Sequence, residues 1–333
     1  MQQLRTIWSR YGRIGLGVVI SLGSIVLASR NVDYSQVWSS LARANSLWVG
    51  LALLSVIVNT LGKVVRWQLL MGEDGQVVSF GQALRILLIG QLVNNVMPAR
   101  IGDLSRAYLM GELGLRKSFV LGTIVVEKMV DMLMYALLFG LLLPLMTVPE
   151  WVSRPAYVFF LIAGASIVGM LLIVWFRQPL IGLFERLTAR LPATFRPRLL
   201  RSLHAGLASL TILRDGATSF RITIWSLLVW ITAVLTNYLV LGALDLPPSL
   251  VSSIFVLIVL QAGISLPSVP GRIGIFQYLC VLALAVFAID ATNALSYGVL
   301  LHAIVFLPPM LAGIIALYGP GPGWKRVVHA NSE

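Results

Sequence analysis

Long apolar runs separated by short, mostly basic stretches set the pattern of this chain. Runs at 14–28, 47–62, 118–147, 155–176, 220–242 and 292–318 each predict a helix. The last four are long enough to cross roughly 30 Å of hydrocarbon at about 1.5 Å per residue. Arg5, Arg10 and Arg13 before the first run resemble the layout of a signal peptide, but Ser29 and Arg30 make a poor cleavage site and further apolar runs follow. A signal anchor is the expectation. Residues 31–46 mix Tyr34 and Trp38 with Asp33 and Arg43, which predicts a short helix lying at the interface.

Two further apolar stretches, 82–97 and 250–269, run into breaks that contain proline and glycine. The first break reads MPARIGD from Met97 and the second VPGRIGI from Val269, so P-x-R-I-G recurs at one constant offset, from Pro98, Arg100 and Gly102 to Pro270, Arg272 and Gly274. Gly271 falls inside the second copy. A short apolar stretch and then a long span follow each break, which predicts one unit used twice, over about 82–147 and about 250–318. Three crossings separate the copies, so their topologies are expected to be inverted, an arrangement that in transporters points to a binding site at the membrane midplane. Proline removes a backbone donor and glycine loosens a helix, so the freed polar groups must face protein or a wet cavity. Two re-entrant hairpins meeting near the bilayer centre are expected; full crossings by all four arms give the same parity. The fold class expected is therefore an all-α integral membrane bundle with an inverted repeat and two broken helical hairpins.

Composition agrees with this pattern. Of 333 residues, 58% are hydrophobic and 11% charged, against about 25% charged in soluble domains. One membrane domain over residues 1–320 and a tail at 321–333 is the expected organisation. The net charge of +12 lies between the apolar runs rather than on an aromatic-studded platform, so it reads as a topology signal beside anionic headgroups and not as a nucleic-acid surface. Seven arginines against Glu185 and Asp215 mark 177–219 as a cytoplasmic loop. Counting crossings outward puts Arg5 to Arg13, Lys63 with Arg66, and Lys325 with Arg326 on that same side. Both termini are then cytoplasmic, in a plasma (inner) membrane. Cys280, the only cysteine, sits in an apolar run and permits neither a disulfide nor a thiolate metal site. His204, His302 and His329 are too scattered for a metal site, and no H-E-x-x-H, G-x-S-x-G, P-loop or dinucleotide fingerprint is present. No cofactor and no catalytic residue is expected.

The charges at membrane depth are the candidate chemistry. Glu127, Lys128 and Asp131 lie in the span from 118, with Glu127 and Asp131 on one helix face. A charge at a helix centre costs on the order of 3 kcal/mol. Either Glu127 lies near the cytoplasmic interface, or Arg100, Arg106 or Arg85 pairs with the carboxylates inside the bundle. Such pairing can be structural alone. Its functional counterpart is a cleft in which Arg100, Arg106 and the opposing Arg272 attract an anionic headgroup, since guanidinium binds phosphate oxygens bidentately. Glu127 and Asp131 would then act as counter-charges or proton-coupling groups. Asn94 and Asn95 either meet the headgroup or cap freed backbone.

The run from Asn94 to Asp131 resembles the membrane domain of the lysylphosphatidylglycerol synthase/flippase family, to which the multiple peptide resistance factor belongs. The shared elements are asparagine, then P-x-R-x-G-[DE]-x-x-R, then E-[RK]-x-x-D, on Asn94, Pro98, Arg100, Gly102, Asp103, Arg106, Glu127, Lys128 and Asp131. A later S-x-P-G-x-x-G element falls on Ser268, Pro270, Gly271 and Gly274. The resemblance covers about residues 10–320 and implies a flippase-like membrane domain that handles an anionic lipid, with a separate lipid-modifying enzyme as a partner. Gln277 and His302 stand where family members often carry Glu and Arg, which replaces a charged pair by a neutral one. Three functions are weighed: a lipid translocase, an intramembrane enzyme or subunit of lipid or glycan synthesis, and a transporter of small solutes. The sequence is silent on oligomeric state.

Overall fold

The computed structural model describes residues 17–97, 101–188, 196–263 and 269–319, with some side chains in 74–76, 155–180 and 202–211 left undescribed. Pro98, Arg100 and Ser268 lie outside the described residues, as do Arg5 to Arg13 and Lys325 with Arg326. The chain forms an all-α membrane protein. Its helices are α1 (Gly17–Ala28), α2 (Tyr34–Ala42), α3 (Ser46–Met71), α4 (Phe80–Val96), α5 (Ile101–Glu112), α6 (Lys117–Leu142), α7 (Glu150–Trp175), α8 (Arg177–Leu187), α9 (Arg196–Ala208), α10 (Gly216–Ala243), α11 (Leu250–Gly263), α12 (Ile275–Ala285) and α13 (Ala291–Tyr318).

Short polar side chains start these helices, because they satisfy amides that have no partner within the helix. Asp33 accepts from the amides of Ser35 and Gln36 at α2, Asn45 from Leu47 and Trp48 at α3, and Asp290 from Thr292 and Asn293 at α13. At α4 the Ser79 hydroxyl and the Gln82 side chain form a reciprocal capping box. Among the described residues α3, α10 and α13 are each long and apolar enough to cross a membrane. α6 and α7 are each 26 residues long, and α6 carries the three charges of Glu127, Lys128 and Asp131.

Two positions differ from the sequence reading. The run expected to stop at residue 62 continues as α3 to Met71, so Lys63 and Arg66 lie inside a helix and not in a loop. The segment 177–219 is largely helical: α8, α9 and a 3-10 turn at Ser209–Arg214, with α9 packed against α6. The short helix expected within 31–46 is present as α2.

The element order repeats: a short helix, a break, a second short helix and a long helix, as α4–α5–α6 and again as α11–α12–α13. The short arms have 17, 12, 14 and 11 residues, so each falls short of about 30 Å at about 1.5 Å per residue. Within each unit the two short helices pack together, and α4 also lies along α13, which brings the two units into contact. α3 and α10 pack along their lengths, joined by small polar groups: the Ser55 hydroxyl donates to the Thr232 carbonyl at 2.8 Å, and the Asn59 amide donates to the Thr232 hydroxyl at 3.0 Å. Interhelical hydrogen bonds of this kind replace the hydrophobic drive that lipid does not supply.

The glycines of the two breaks work differently. Gly102 lies in the first turn of α5 and does not loosen it. A Cβ there would sit 2.0 Å from the Gly90 carbonyl oxygen, so glycine lets α4 and α5 cross in direct backbone contact. In the second break Gly271 and Gly274 have φ of 72° and 91°, conformations that side chains resist, and Pro270 begins a single 3-10 turn.

Candidate functional site

A cavity of about 640 Å³ lies between the two units, α3 and α10. Asn94, Asn95, Asp103, Arg106, Glu127, Asp131 and Arg272, far apart in sequence, all line it. Arg272 reaches it from the second break with φ of 58°. Charged side chains of α3, α5 and α6 gather on the cavity. Apolar side chains, among them Leu257, Phe276, Leu301 and Phe306, also line it.

The carboxylates sit in a network of ion pairs. Glu127, 5% exposed, takes Arg106 Nη2 at 2.8 Å, with Arg66 Nη2 at 3.6 Å and Lys128 Nζ at 3.9 Å. Asp131, one turn further along α6, takes Arg66 Nη1 at 2.7 Å and the Trp230 indole N–H at 3.3 Å. Asp103 lies 3.6 Å from Arg106 and 3.9 Å from Lys128. Arg66 and Arg106 are 1% and 3% exposed. The Arg106 guanidinium stacks over the Trp67 ring at 4.0 Å, and the Trp67 N–H is anchored on the Thr123 hydroxyl at 3.2 Å. Charges so deeply placed persist only when paired and hydrogen-bonded.

Of the arginines expected at the carboxylates, Arg106 is there and Arg100 lies outside the described residues. Arg85 is elsewhere: it donates to the carbonyls of Ala316 and Gly319 at the end of α13, satisfying acceptors that the helix leaves open. The partner that sequence reasoning missed is Arg66, taken for a topology charge. Asn94 caps freed backbone, its side-chain oxygen accepting from the Gly102 amide at 2.8 Å while its amide donates to Asp103 at 3.3 Å.

The second unit carries a neutral contact between the same pair of elements. Gln277 on the short helix α12 meets His302 on the long helix α13 at 2.8 Å, as Arg106 on α5 meets Glu127 on α6. The other imidazole nitrogen, Nε2, lies 2.9 Å from the Gly271 carbonyl oxygen, and Gln277 Oε1 accepts from the Gly274 amide at 2.9 Å. A carbonyl can only accept, so Nε2 carries the proton and Nδ1 accepts from the Gln277 amide. Phe276 stacks on the imidazole at 4.7 Å. The pair thus ties the second break to α13.

An all-α membrane protein with two broken-helix units facing a cavity lined by charged and apolar side chains is the class that these features define. Within that class the chain belongs to the family of the lysylphosphatidylglycerol synthase TM region, whose pattern matches residues 14–313. It is also 24% identical over its whole length to the Glycosyltransferase AglD of Haloferax volcanii, and it spans 60% of that protein's length.

Proposed function

We propose that this protein is a lipid translocase that moves an anionic phospholipid or a polyprenyl-phosphate-linked lipid between leaflets, with no chemistry of its own on the lipid. The observation that carries this reading is the cavity itself, whose lining combines charged side chains with leucine and phenylalanine inside a membrane bundle. An amphiphile has the same combination. A volume of about 640 Å³ falls within the range of small-molecule sites, roughly 300–1,000 Å³, so a headgroup enters while the acyl or prenyl chains stay in the bilayer. The short arms α4, α5, α11 and α12 support re-entrant hairpins of inverted topology, able to rock about the site. In this reading residues 1–320 form one membrane domain in the plasma membrane with both ends cytoplasmic, and a separate enzyme supplies the lipid. The arginine-rich segment 177–219 supports that orientation; Arg66, engaged with Asp131, does not contribute to it.

The test is leaflet-to-leaflet movement in proteoliposomes over a panel of anionic, zwitterionic and polyprenyl-phosphate lipids. Headgroup-selective movement, lost in Glu127→Gln at normal folding, is expected. No movement of any lipid, with a pH gradient applied, would overturn the reading.

The name of the archaeal relative favours a second reading, a membrane subunit of glycan or lipid synthesis. That reading expects sugar or lipid transfer to fail in a deletion strain while translocation in vitro is absent.

A further inference from the structure

All three carboxylates on the cavity are engaged by cations: Glu127 by Arg106, Arg66 and Lys128, Asp131 by Arg66, and Asp103 by Arg106 and Lys128. Lys63, one turn before Arg66 on α3, also lines the cavity, yet its ammonium makes no ion pair or hydrogen bond among the described residues. It is a cation in excess of the carboxylates around it.

The carboxamides on the cavity divide in the same way. Asn59, Asn94 and Asn237 are hydrogen-bonded to protein partners, Asn94 and Asn237 through both side-chain atoms and Asn59 through its amide nitrogen. Gln91, Asn95 and Gln261 line the cavity and make no hydrogen bond among the described residues. Gln91 and Asn95 are one turn apart on one face of α4, in the first unit, and Gln261 is on α11, in the second. Unpartnered amides are costly inside a membrane bundle unless water or a ligand meets them. They are cavity-facing, and both units supply them.

Building on the translocase reading, we infer that Lys63, Gln91, Asn95 and Gln261 form a subsite for a phosphodiester headgroup that carries neutral hydroxyl groups. The ammonium takes a phosphate oxygen as a point charge. Each carboxamide offers two N–H donors and an acceptor oxygen, and a hydroxyl both donates and accepts. An amine headgroup would instead require a carboxylate of its own, and every carboxylate here already holds a cation. The subsite therefore selects hydroxyl over amine and phosphodiester over neutral lipid. Glycerol and sugar headgroups share this chemistry.

Two readouts test it on the purified full chain, with thermal midpoint and monodispersity as folding controls. The first is equilibrium binding of glycerophosphoglycerol and of a hexose phosphodiester, beside glycerophosphoethanolamine. Binding of a hydroxyl-bearing headgroup is expected, weakened about tenfold or more by Lys63→Gln and by Gln91→Leu/Asn95→Leu/Gln261→Leu, and retained in Lys63→Arg. Which of the two hydroxyl-bearing probes binds more tightly identifies the source. The second is translocation of phosphatidylglycerol, a glycosyl phosphopolyprenol and phosphatidic acid; the amide variant is expected to slow the first two about tenfold and to leave phosphatidic acid unchanged. Equal binding of ethanolamine and hydroxyl headgroups, no binding by the wild type, or binding that neither variant weakens would overturn the subsite. Selective binding without movement of any lipid would support the subsite and overturn translocation alone.

Discussion

The two units of this protein share an order of elements and differ in what joins the second short helix to the long helix that follows it. In the first, the short helix meets the long one through Arg106 and Glu127, a buried ion pair reinforced by Arg66, Lys128 and Asp131. In the second, the short helix meets the long one through Gln277 and His302, a neutral hydrogen bond packed on Phe276. Both join a broken segment to the helix that follows it. A buried ion pair costs more desolvation than a buried neutral pair, and in both only the partners recover it. The second unit shows that a short helix of this order can be fastened to its long helix without charge. Charge in the first unit is then available for something other than fastening.

That comparison ranks the expected effects of substitution. The largest belongs to Glu127→Leu, which strands Arg106, Arg66 and Lys128 without their central anion; breaking a buried pair costs about 3–5 kcal/mol, seen as a lower midpoint in chemical or thermal unfolding in detergent. Next comes Gly102→Ala. Its new methyl would meet the Gly90 carbonyl oxygen at 2.0 Å, and prising α4 from α5 is expected to cost about 1–3 kcal/mol in the same assay. Gly140→Ala, where nothing lies within 4 Å, is the control and should stay within about 0.5 kcal/mol of wild type.

Gln277→Leu, the second unit's counterpart to the first substitution, should lose about 1 kcal/mol, roughly a third of the Glu127→Leu effect or less. Equal losses at Glu127 and Gln277 would mean that the charge serves only as a fastener. The smallest effect is expected on the exposed surface, where Arg154→Ala removes the pair with Glu150 at 2.9 Å for about 0.5 kcal/mol or less.

The sequence carried more of the architecture than of the site's wiring. The repeated P-x-R-I-G element located both breaks, and the run from Asn94 to Asp131 named seven of the residues that the cavity gathers. Arg66 escaped because a basic residue after an apolar run has two readings, the end of a span or a buried partner, and local pattern does not separate them. A signal did exist. Glu127 and Asp131 are two carboxylates on one face of α6 and call for more than one cation, and Arg66 is followed by Trp67 and the apolar Leu69 and Leu70, which continue the helix. Arg85 was the converse error, a cation near the right segment whose guanidinium turns to the open carbonyls of α13. Gly102 was legible as a special position, though its reason was not: close contact with Gly90 depends on how α4 and α5 cross, which no local pattern reports.

The central claim is that a lipid headgroup enters the cavity between the two units. Photocrosslinking tests it most directly, using a phospholipid with its photoreactive group on the headgroup, followed by mapping of the labelled peptides. Labelling of cavity residues such as Met132 and Gln261, competed by unlabelled anionic lipid, is the expected result. Labelling confined to outward positions such as Val158, 57% exposed on α7, with none in the cavity, would contradict the account.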